Sequence, residues 1–127
     1  MTTPSTASHM NVAGMTAGFE SRGFYTGAGA VVPTKVRGKG QTLTRQGVGL
    51  YTIAFTDVGG QLVDVEGVTH TAATVTPQVW KMVPGTFSQS AKTVQVECWN
   101  VAAAALADPP VASQVALTAR FFDNVVD

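Results

Sequence analysis

The chain has 127 residues, of which 45 % are hydrophobic and only 13 % charged, with a formal net charge of zero. That length suits one domain able to bury a core without disulfide or metal, and the charged share is about half the usual one. The single cysteine, Cys98, excludes a fold stapled by internal disulfides, and the sparse, balanced charge excludes the dense basic patch that nucleic acid requires.

The charge balance hides an asymmetry. Up to Gln46, Arg22, Lys35, Arg37, Lys39 and Arg45 stand against Glu20 alone, and the later residues carry the compensating acids. Such a division can fix orientation in a docked complex. The opening "MTTPSTASHM" lacks the apolar stretch of a signal peptide. Nor is there an uninterrupted apolar run of membrane-spanning length. These features imply a soluble protein of a reducing compartment, most simply the cytoplasm, with no membrane partner.

Residues 1–30 are rich in Thr, Ser, Ala and Gly, with scattered apolar residues of no fixed period. Alone they cannot offset their ordering entropy, so this stretch is expected to be an extended N-terminal arm, either a disordered terminus or one ordered on a partner. Phe19, Phe24 and Tyr25 favour an arm ordered against a neighbouring subunit, because a solvated tail seldom carries aromatics so densely.

A β-sandwich domain is expected over residues 31–127. "AVVPTKV" is a strand whose Pro33 places it at an edge, and Gly38-Lys39-Gly40 turns it into "QTLTRQ". "GLYTIAFTD" should point Tyr51, Ile53 and Phe55 inward, and "DVGG" marks the next turn. "QLVDVEGVTHTAATVT" opposes Val63 and Val65 to Asp64 and Glu66, with Gly67 expected to bend or bulge the strand. "QVWKMV" puts Trp80 and Met82 on one face. "KTVQVECWN" sends Val94, Val96 and Cys98 in, leaving Trp99 on the outer, Glu97 face. "VAAAALADPP" has helix propensity but is too short to hold alone, so an ordered loop or single helical turn is expected. "SQVALTARFFD" then turns Val115, Leu117, Ala119 and Phe121 inward. Seven to eight short strands joined by Gly/Pro turns predict an all-β fold, an antiparallel β-sandwich or small β-barrel.

No chemistry-bearing constellation assembles. His9 and His70 lie far apart, with no other metal ligands at useful spacing. Cys98 alternates with core valines, as a buried structural thiol would. Asp64 and Glu66 form the polar side of an alternating strand, and no calcium-binding loop surrounds them. The Gly-rich "GAGA" and "GKGQTLT" do not open a helix, so they form no phosphate cradle. Trp99 is the better of the two tryptophans for a sugar platform or an interface. No catalytic residue, metal or cofactor is therefore expected, and the chain reads as a non-enzyme.

The pattern resembles small β-structured virion proteins of tailed bacteriophages. The resemblance rests on Gly38 and Gly40 with Thr44 and Arg45, then Gly49, Tyr51, Ile53 and Phe55. Thr93, Val94 and Val96 continue it, followed by Asp108, Pro109 and Pro110 and the final strand Val115 to Phe121. It covers roughly residues 38–123 and carries no catalytic residues. It implies a head decoration (cement) protein bound to the major capsid protein and located on the capsid surface after assembly in the host cytoplasm, and closed symmetry at capsid three-fold positions then suits a homotrimer. A tail or neck component is the less frequent alternative, and a small carbohydrate-binding module is the competing class. Phe19, Phe24, Tyr25, Lys35, Arg37, Lys39 and Trp99 are the residues expected at a partner interface.

Overall fold

A computed structural model describes residues 18–56, 61–70 and 77–122. These form strands β1 (Gly18–Thr26), β2 (Thr34–Gly38), β3 (Gln41–Gly47), β4 (Leu50–Phe55) and β5 (Gln61–His70). β6 (Gln78–Met82), β7 (Thr93–Asn100), the two-residue β8 (Ala105–Leu106) and β9 (Gln114–Phe122) follow. No helix is present among the described residues.

All nine strands belong to one antiparallel sheet in the order β2-β1-β9-β5-β6-β7-β4-β3, with β8 added to β7. The sheet curls until its two ends nearly meet. The closing contact is a side chain, Gln41 at the start of β3. Its Oε1 accepts from the Tyr25 hydroxyl at 2.8 Å, and its Nε2 donates to the Ser21 carbonyl at 3.1 Å. The Ser21 hydroxyl is also within reach of that Nε2, at 3.2 Å. β3 thus faces β1 directly, and β2 is left outside the seam, exposed along its whole length.

The expected alternation holds in the three clearest strands. Tyr51, Ile53 and Phe55 are buried on β4, Val94, Val96 and Cys98 on β7, and Val115, Leu117, Ala119 and Phe121 on β9. Trp80 lies 5.0 Å from Tyr51, centroid to centroid, and Phe55 meets Phe121 edge-on at 5.0 Å, the offset geometry that aromatic quadrupoles favour. Trp80 satisfies its indole N–H on the Thr69 hydroxyl at 2.8 Å.

Three expectations change. The segment from Gly18 to Thr26 is no arm but β1, wedged between β2 and β9. It escapes pattern reading because its inward positions include Ser21 and Gly23, which leave room for Gln41. A Cβ on Gly23 would lie 2.5 Å from Gln41 Oε1. Residues 27–30 of the expected arm form the loop after β1, whereas residues 1–17 lie outside the described residues, as do residues 71–76 of the stretch expected to continue from Gln61. The bulge in β5 falls at Val63, which the register skips between Arg120↔Asp64 and Phe121↔Leu62, and not at Gly67. Gly67 is needed for closeness instead, since a Cβ there would meet Ala116 O at 2.4 Å. Finally, 101–110 is neither helix nor plain loop. A turn leads into β8, which pairs with Trp99 and Asn100.

Ile53→Ala should cost about 2–5 kcal/mol in a urea titration, the usual penalty for emptying a core site. A loss below about 1 kcal/mol would mean that the β4 wall is not packed as described. Gln41→Leu keeps the volume but orphans the Tyr25 hydroxyl, and should cost about 1–3 kcal/mol.

Candidate functional site

Because every pairing is antiparallel, loops 27–33, 48–49, 101–104 and 107–113 and Pro77 gather at one end of the barrel. They are tied to each other by backbone hydrogen bonds. Gly27 N–H donates to Ser113 O at 2.8 Å, Ala112 N–H to Gly27 O at 2.9 Å and Gly29 N–H to Pro109 O at 3.1 Å. Cys98 N–H donates to Gly49 O at 2.8 Å, Ala107 N–H to Cys98 O at 3.0 Å and Val101 N–H to Pro77 O at 3.1 Å. Loops bound in this way hold a fixed shape, because their backbone polar groups are spent on one another.

Asp108 anchors the group. Its Oδ1 accepts from the Tyr51 hydroxyl at 2.7 Å, the Gly49 N–H at 3.0 Å and Arg45 Nε at 3.1 Å, and its Oδ2 from the second Arg45 nitrogen at 2.8 Å. The Asp108 carbonyl accepts from Gln78 Nε2 at 3.1 Å. One residue therefore joins β3, the β3–β4 turn, β4, β6 and the loop before β9. Gly49 can make this turn because it sits at φ 66° with Ala107 N only 2.6 Å from where a Cβ would be. Burial alone would raise the Asp108 carboxyl, but the Arg45, Gly49 and Tyr51 hydrogen bonds outweigh it and hold the group below the usual aspartate range. The same contact raises Arg45. Burial first, then the bond to Asp108, pushes the Tyr51 phenol far up.

Among the described residues of these loops, Asp108 is the one charged side chain, and Arg45 neutralises it. What this end shows to solvent is apolar: Val31, Val32, Val48, Val101 and Val111 are all exposed, Val111 by 76 %. Single exposed valines are ordinary; here five share one end of the barrel.

The residues expected at an interface are spread out. Tyr25 is buried in the core and cannot reach a partner. Phe19 stacks on Phe121 at 5.1 Å and is 37 % exposed, at the other end of the barrel. Phe24 lies half-buried under the Arg37 guanidinium, 4.4 Å from its ring centroid. Lys35, Arg37 and Lys39 are exposed on and beside β2. Lys35 also donates to the Gln41 carbonyl at the seam. Trp99 is half-buried: Lys81 Nζ lies 5.0 Å from its ring centroid, and its indole N–H donates to Glu97 at 2.9 Å. One face of the ring is thus taken, which weakens it as a sugar platform. The valine rim was missed because its members come from four loops distant in sequence. The nearest signal was the absence of charge from 27–33 and 109–113.

Cys98 is buried, with Sγ 3.5 Å from Gln78 Oε1, and burial pushes its thiol up to about 12, so it stays protonated and inert. Asp64 and Glu66 pair with Arg120, which also meets Glu20 at 3.5 Å, a solvated ion network on the barrel wall. No group of three or more metal-ligating side chains occurs among the described residues, and no helix there is long and apolar enough to cross a membrane. His9 lies outside the described residues. No protein-family model, curated protein or solved structure matches the chain.

Folded Asp108 titrates below its unfolded value of about 3.9. Its stabilisation is therefore complete above that pH and is lost as pH falls through the depressed folded value. Asp108→Asn should cost about 2 kcal/mol at neutral pH and make the acid limb of stability shallower. Urea titrations across pH would read both effects.

Proposed function

We propose that this chain is a structural virion protein of a tailed bacteriophage, a head decoration (cement) protein that stabilises the capsid by binding the lattice of the major capsid protein. The observation that carries the reading is the uncharged, hydrogen-bonded barrel end with its exposed valines. A cement protein needs a rigid body and a preformed apolar face, so that little ordering entropy is spent on docking. It needs no cofactor. The resemblance of Gly38 to Phe121 to small phage virion proteins points the same way. In this reading the protein sits on the capsid surface as a homotrimer, since closed symmetric assemblies match three-fold capsid positions, and many weak contacts add by avidity.

The test is co-sedimentation with capsids that lack the protein. Val31→Asp combined with Val111→Asp should lower occupancy at least about tenfold, with an unchanged circular dichroism spectrum. Full occupancy by the double variant would reject the valine rim as the docking face. Wild-type protein that binds tails or necks and ignores heads would move the assignment there. Binding to glycans that is lost in Trp99→Ala would favour the carbohydrate module instead.

A further inference from the structure

β2 stands outside the barrel seam, and between it and the wall lies an open cleft of about 390 Å³. Phe24 on β1, Val36 and Arg37 on β2, Ala116 and Gln114 on β9 and His70 on β5 line it, and no carboxylate does. Val36 is the extra residue of a β-bulge, between Phe24↔Arg37 and Tyr25↔Lys35, and is 58 % exposed. Bulge and cations block strand addition along this edge, so an occupant would be held by its side chains. Arg37 makes no ion pair among the described residues, and the sequence has no acid at all from Ser21 to Thr56. The occupant that fits is apolar in the middle and acidic at its flank.

The chain supplies one such segment outside the described residues. Asp123-Asn124-Val125-Val126-Asp127 puts two valines between two aspartates. Residues 1–17 and 71–76 contain no acid, and Asp57 belongs to a four-residue connection pinned between Thr56 and Gln61. Length decides whose cleft is reached. β9 ends at Phe122, paired with Gly18 and Gln61, at the far end from the cleft residues Gln114 and Ala116. Returning from Phe122 to Ala116 covers roughly 20 Å, whereas five extended residues span at most about 18 Å before any are used to reverse direction.

We propose that residues Asp123–Asp127 of one copy seat in the β1–β2–β9 cleft of a neighbouring copy. Val125 and Val126 lie against Phe24, Val36 and Ala116, and a flanking aspartate lies on Arg37. The contact is heterologous, so repeating it closes a ring or runs on as a filament. It refines the self-association in the reading above and is independent of the capsid contact.

The test traps the contact between full-length chains. Val36→Cys protein mixed with Val125→Cys protein under mild oxidation should give a covalent dimer on a non-reducing gel. The native Cys98 is buried and gives little background. A partner carrying Val101→Cys, also exposed but at the valine rim, should crosslink at least about tenfold less. Adding Arg37→Glu to the Val36→Cys copy should abolish the product. Yields equal to the Val101→Cys control, or undiminished by Arg37→Glu, would overturn the proposal. Capsid co-sedimentation of the same variants separates the two ideas, since protein that coats capsids without crosslinking sinks the cleft contact alone.

Discussion

The barrel depends on one carboxylate. Asp108 takes four hydrogen bonds on its two oxygens, from Arg45, Tyr51 and the Gly49 backbone. A half-buried aspartate is costly when left alone and far less so when both of its oxygens accept hydrogen bonds. Here its donors come from β3, the β3–β4 turn and β4, so the carboxylate fixes the loop before β9 onto that hairpin. Removing it would strand a guanidinium, a phenol and an amide together, which is why the interaction is strongly one-sided: modest in net contribution, severe when broken.

Much of the fold was legible in the alternation of Tyr51-Ile53-Phe55, Val94-Val96-Cys98 and Val115-Leu117-Ala119-Phe121, because a strand with one wet face must alternate. β1 was not. Its inward face reads Ser21, Gly23, Tyr25, and only the position of Gln41, brought in from another strand, makes that sensible. The Asp108 clamp was equally invisible. Its partners lie 57 to 63 residues away in sequence, and no periodicity links a loop aspartate to a strand tyrosine. Gly67 drew attention as a bulge because glycine permits one, yet the bulge went to Val63, where no residue type announces it.

The valine rim and the cleft beside β2 differ in chemistry. The valine rim is rigid, uncharged and built from loops laced to one another. The cleft beside β2 is open, carries a guanidinium with no ion pair among the described residues and sits beside a strand at the edge of the sheet. Two surfaces of such different chemistry would select different partners, so that neither could be satisfied by the other's.

The order of strands in the sheet also governs when the molecule can form. Among the described strands β9, the last in sequence, inserts between β5 and β1, the first. Until β9 emerges, β1 has no neighbour on that side, and the curled sheet cannot bring Gln41 onto Tyr25. Closure of the sheet therefore waits for β9, and the closing contacts span almost the whole described chain, a topology that folds slowly. During that wait β1 and β5 both offer bare edges. The low charge that suits the finished surface gives the nascent chain little electrostatic protection against sticking to its neighbours.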